Sequence, residues 1–93
     1  MWKVRRIEND NQVVLRLSGR LEGEQLKELK EALASEAALH HLILDLTDVR
    51  LVDQDAVRFL ADCQAHGAIL WSCPAYIREW IAAEKVARES IGD

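Results

Sequence analysis

The run from Leu42 to Leu60, LILDLTDVRLVDQDAVRFL, constrains this chain more than any other, because it passes from an apolar strand through an acidic turn into a helix. Leu42, Ile43, Leu44 and Leu46 are interrupted only by Asp45, the pattern of a strand covered on both faces in a parallel sheet. In an open α/β sheet the carboxyl ends of the strands form the crevice where ligands and partners sit. Here that end leads to Asp53, Gln54 and Asp55 at a helix start. The search for function therefore begins at this turn.

The flanking segments supply the remaining elements. Trp2 to Glu8 alternates as a strand with Val4 and Ile7 inward, and Asn9-Asp10-Asn11 signals a turn before Val13, Val14, Leu15 and Leu17, so a hairpin is predicted. Gly19 is expected to end the second strand. Gly23 precedes a helix whose Leu26, Leu29 and Leu33 form one apolar stripe and which ends near Ser35. The buried strand is predicted from His41 to Leu46. The next helix starts at Asp53 or Asp55 and runs to about His66, with Gly67 as its stop. Ala68 to Trp71 reads as a short fourth strand. Pro74 suits the first turn of a last helix that carries Ile77, Trp80 and Ile81 inward and continues toward Arg88. The order β-β-α-β-α-β-α predicts one α/β domain over residues 1–93, a mixed, mostly parallel four-stranded sheet with helices packed against it.

The LILDLTDVRLVD run, the helix opened by Asp53-Gln54-Asp55-Ala56-Val57 and the later Gly67-Ala68-Ile69-Leu70 strand entry resemble, in order and spacing, the STAS domain of the anti-sigma factor antagonists. The resemblance spans roughly Val4 to Ile81. It implies a STAS-like fold and a non-enzymatic regulatory module that binds a protein partner, by family an anti-sigma factor with an ATP-binding kinase fold. The alternative that the resemblance implies is another role of stand-alone STAS proteins, adapter subunit of an ABC transporter at its cytoplasmic face. Phosphorylation-regulated members read Asp-Ser-Ser/Thr-Gly at the turn, where this chain has Asp53-Gln54-Asp55-Ala56. Asp55 occupies the phosphoacceptor position without a hydroxyl, so the resemblance carries over fold and binding but not a serine switch. Family members often continue with a fifth strand and a further helix, for which this sequence has no room before Asp93.

Length and charge narrow the function classes. A chain of 93 residues supports one core, burying roughly 60 to 65% of its unfolded surface. No apolar run approaches the ~20 residues that span a bilayer, and no signal-peptide core follows Met1; a cytoplasmic protein without direct membrane insertion is expected. The net charge of -4, with basic residues scattered along the sequence among acidic ones, argues against nucleic acid as a partner. Cys63 and Cys73 fit neither a disulfide framework nor a metal motif. Cys73 is expected near the level where the second helix begins and Cys63 about 12 Å lower, too far for a bridge.

At the turn, the carboxyl-end loops Gly19 to Gly23, Thr47 to Asp55 and Ser72 to Pro74 are expected to converge and gather Arg20, Glu22, Asp53, Gln54, Asp55, Ser72 and Cys73. The exposed stripe Asp55, Arg58 and Asp62 would extend this into a docking surface. Two accounts of Asp53 and Asp55 stand side by side: helix capping, in which a carboxylate accepts backbone N–H bonds, and a fixed negative charge in place of a switchable one. His40, His41 and His66 lie at no spacing that completes a metal site, and neither a cofactor nor a catalytic set is predicted. Cys73 before Pro74 could have its thiolate stabilised by a helix start, without a base beside it. The last helix presents Tyr76 and Trp80, either packed in the core or partly exposed for partner binding or a homodimer.

Overall fold

The apolar run beginning at Leu42 forms a central strand that is longer than its leucines predict. The computed structural model describes residues 2–9, 12–34 and 42–91. Along the chain these form β1 (Lys3–Glu8), β2 (Val13–Leu21), α1 (Glu24–Ala34), β3 (Leu42–Val52), α2 (Gln54–Ala65), β4 (Ile69–Trp71) and α3 (Ala75–Ile91). The sheet order is β1-β2-β3-β4, with β1 antiparallel to β2 and the other two pairings parallel. This is the expected mixed α/β sheet with three helices. Asp10, Asn11, Ser35, His40 and His41, on which parts of the sequence reading fell, lie outside the described residues.

Two strands run past their predicted ends. β2 continues through Gly19 to Leu21, and β3 continues from Leu46 to Val52, so Thr47 to Val52 is strand and not loop. Both extensions are irregular. Arg16 pairs with Asp45 and Ser18 with Asp48, and then Gly19 pairs with Val49 and Arg20 with Leu51, so β3 twice carries an extra residue opposite β2. Such bulges let a ladder continue past residues that break its alternation. Gly19, which lies beside the second irregularity, has φ 98, a left-handed backbone that glycine adopts without strain.

One face of this sheet carries the core. Leu15, Leu17 and Leu21 of β2 and Leu44, Leu46, Val49 and Val52 of β3 pack against the stripe Leu26, Leu29 and Leu33 of α1, Val57 and Leu60 of α2, and Ile77 and Ile81 of α3. Right-handed crossovers from β2 to β3 and from β3 to β4 put α1 and α2 on the same side, and α3, after the last strand, returns to that face with Ile77 and Ile81. Strand alternation decides β1. Val4 pairs with Leu17 and packs on the core, whereas Ile7, three residues on, points the other way and is 37% exposed. Its predicted inward orientation is thus corrected.

Candidate functional site

The start of α2 is held from two directions by one side chain. Asp53, extended at φ -101 and ψ 179, is the N-cap: its Oδ1 accepts the Ala56 N–H at 2.8 Å. Its Oδ2 accepts the N–H of Gly23 at 3.4 Å, which ties the β2–α1 connection to the β3–α2 connection. Gly23 sits at φ 54, and a β-carbon there would meet nothing within 4 Å, so conformation and not space favours glycine. Capping therefore accounts for Asp53, and Gly23 is the site residue that the sequence reading missed. Only the pairing of Leu21 with Val52 brings these two loops level.

Gln54 and Asp55 follow as exposed residues of the first turn, with Asp55 at the positive end of the helix dipole. Ala56, where the family motif has glycine, is fully buried. Asp55, Arg58 and Asp62 recur at helical spacing on the side of α2 away from Val57, Leu60 and Ala61. Arg58 does not merely face water. Its Nε donates to Glu84 Oε1 of α3 at 3.0 Å, and the Glu84 side chain is mostly covered. At the far end of α2 the Asp62 carbonyl accepts the His66 backbone N–H at 3.1 Å. His66 Nδ1 lies 2.7 Å from the same carbonyl.

The third predicted loop does not reach this edge. Trp71, the last residue of β4, pairs with Asp45, and β3 runs on through Leu46–Val52. Ser72 and Cys73 therefore leave the sheet roughly 20 Å short of Asp53 at about 3.3 Å per residue. The reason is the shortness of β4, only Ile69–Trp71. Cys73 accordingly lies not at the level of the α2 start but beside its end, where Gln64, Leu70, Cys73, Arg78, Ile81, Ala82 and Lys85 line a half-open cleft of about 210 Å3. Both cysteines are free thiols. Burial pushes the Cys63 thiol up to about 11, with Asp62 adding to the shift. Burial also raises Cys73 against the opposing charge of Arg78, so a helix start does not activate it.

On α3, Ile77 and Ile81 are buried and Trp80 packs on the core. The aromatic patch is reduced to Tyr76, whose hydroxyl donates to the Arg50 carbonyl at 2.7 Å and so fastens α3 to the extension of β3. Among the described residues no group of His, Cys, Asp or Glu could hold a metal ion, and no helix is long and apolar enough to cross a membrane.

A four-stranded mixed sheet with its helices on one face and a capped, acidic helix start at one edge is the architecture of a small α/β domain. The profile of the family described as Mlab, STAS domain matches residues 4–69, and the chain belongs to the STAS domain family. No curated protein matches it.

Proposed function

We propose that the chain is a non-enzymatic regulatory module that docks a protein partner through the α2 face from Asp53 to Asp62, the partner being by family resemblance an anti-sigma factor with an ATP-binding kinase fold. One observation carries this reading: the exposed pair Gln54 and Asp55 stands on a helix start that Asp53 caps and ties to the β2–α1 connection. A rigid, charged and accessible edge loses little conformational entropy when a partner binds. Asp55 presents about one negative charge, against nearly two on a phosphoserine, and cannot be toggled by a serine kinase. The module is therefore permanently in one charge state.

That permanence also favours a second reading, an adapter subunit held at the cytoplasmic face of an ABC transporter, where a switch is not needed. Added positive charge tests the docking face in both readings. Asp55→Lys and Gln54→Lys should fold and lose at least tenfold in affinity for a copurifying partner, measured by titration calorimetry. Unchanged affinity in both variants would remove this face. The identity of the partner, kinase-fold protein or transporter ATPase, then separates the two readings. Incubation with a serine kinase of the family and labelled ATP should leave the turn unphosphorylated, and stoichiometric label there would overturn the missing switch.

A further inference from the structure

Strand pairing sorts charges that are scattered along the sequence. On the sheet face opposite the core lie Lys3 and Arg5 of β1, Arg16 and Arg20 of β2, and Arg50 of β3, set there by the alternation of Val4, Leu15, Leu17 and Leu21 toward the core. All five are exposed. Ser18, Gly19, Arg20, Asp48 and Arg50 line one shallow polar depression on this face. Among the described residues only Asp45 and Asp48 oppose the five cations on this face, and Asp45 is engaged by Arg16 and Thr47. Lys3, Arg5, Arg20 and Arg50 make no ion pair with any described residue. The face thus carries +3 in a chain of net charge -4, which leaves -7 on the rest of the molecule.

Part of that negative charge is concentrated at the edge described above, where Glu22, Glu24, Asp53 and Asp55 flank the Gly23–Asp53 hydrogen bond. We propose that the basic sheet face of one copy docks the acidic helix-start edge of a second copy, head to tail. Face-to-face pairing is excluded electrostatically, because it would set five cations against five. The complementary surface is in the same chain, so the partner is always present at the concentration of the protein itself. Half-exposed Ile69 and Trp71 on the same sheet face add apolar contact beside the arginines. The contact is heterologous, leaves one face of each kind open at the ends, and extends into short oligomers as concentration rises. A face about 15 Å by 20 Å, from strand spacing and rise, offers on the order of 300 Å2 per partner, below the area of a stable interface, so the association is weak and screened by salt.

The acidic half of this contact is the edge on which the proposed docking function rests, so self-association would compete with partner binding. The basic half adjoins that edge but contains no α2 residue, so substituting it tests self-association with the docking residues unchanged. Sedimentation equilibrium from about 10 μM to 1 mM should show a mass rising above 10.6 kDa at about 20 mM salt and returning to it at about 300 mM. Arg20→Glu/Arg50→Glu, which leaves the α2 edge intact, should remain monomeric, as should Glu24→Lys/Asp55→Lys. Mixing those two variants, each confirmed folded by circular dichroism, should restore association between the intact acidic edge of the first and the intact basic face of the second. A wild-type chain that stays monomeric throughout overturns the proposal, as does association that both variants retain or that their mixture does not recover. A monomer that sediments with phosphatidylglycerol-containing vesicles would assign the basic face to an anionic bilayer instead.

Discussion

Asp53 does two jobs with two oxygens, and this is where a single substitution reads out most directly. Asp53→Ala leaves the N–H groups of Ala56 and Gly23 without their acceptor and should cost about 1–2 kcal/mol by denaturant unfolding. Asp53→Asn keeps a capping oxygen and should recover most of that; an alanine variant as stable as the parent would show that the cap contributes nothing. The acidic cap before an apolar periodic segment was legible in the sequence, but its second partner was not, since Gly23 is thirty residues away and only the fold brings it near. Cys63 offers a second test. Its folded thiol ionises near 11, above the ordinary 9.0, so the native state keeps a proton that the unfolded chain releases. The Cys63 contribution to stability should therefore be level below about pH 9 and fall between about pH 9 and 11, by on the order of 2 kcal/mol. Cys63→Ala should flatten that alkaline limb, and an unchanged slope in this variant would assign the loss to other groups.

The helices behave as their sequence patterns predict, and the surprise lies between them. Arg58 was expected on an exposed docking stripe, yet its guanidinium crosses to Glu84 of α3 and joins two elements that share the core through Leu60, Ile77 and Ile81. Arg58→Glu would place a carboxylate against a mostly covered carboxylate, with an expected loss of about 1 kcal/mol, more than an isolated surface change costs. The swap Arg58→Glu/Glu84→Arg should regain most of it in a double-mutant cycle. If the single variant unfolds like the parent, the pair does not link α2 to α3. Cross-element partners of this kind have no sequence signal, because the spacing of Arg58 and Glu84 follows from how α2 and α3 lie on the sheet. The extent of β3 was hidden for a related reason: polar Thr47 and Asp48 look like a loop until β2 supplies the ladder that carries them.

At the scale of the molecule, charge and pH link the sheet to stability. Burial alone would push the Asp45 carboxyl up, but the Thr47 hydroxyl at 2.6 Å, the Thr47 N–H at 3.0 Å and Arg16 together hold it below its ordinary 3.8. A depressed folded value means that the carboxylate stabilises the fold above about pH 4, and that this contribution is lost as pH falls through the folded value. Asp45→Asn should therefore lower the unfolding midpoint near neutral pH and make it less pH-dependent below about 4, whereas parallel acid limbs in the two proteins would discount this network. The sequence by itself determined the element order, the core stripes, the cap at Asp53 and the absence of an acceptor hydroxyl at Asp55, because each follows from residue type and local periodicity. Only the tertiary structure decided that the Ser72–Pro74 loop stays away from the α2 edge, that Arg58 has an ion-pair partner, and that five scattered cations share one face. Those depend on strand register and helix docking, which are set by pairing between residues far apart along the chain, and a periodicity says which way a side chain points but not what stands opposite it.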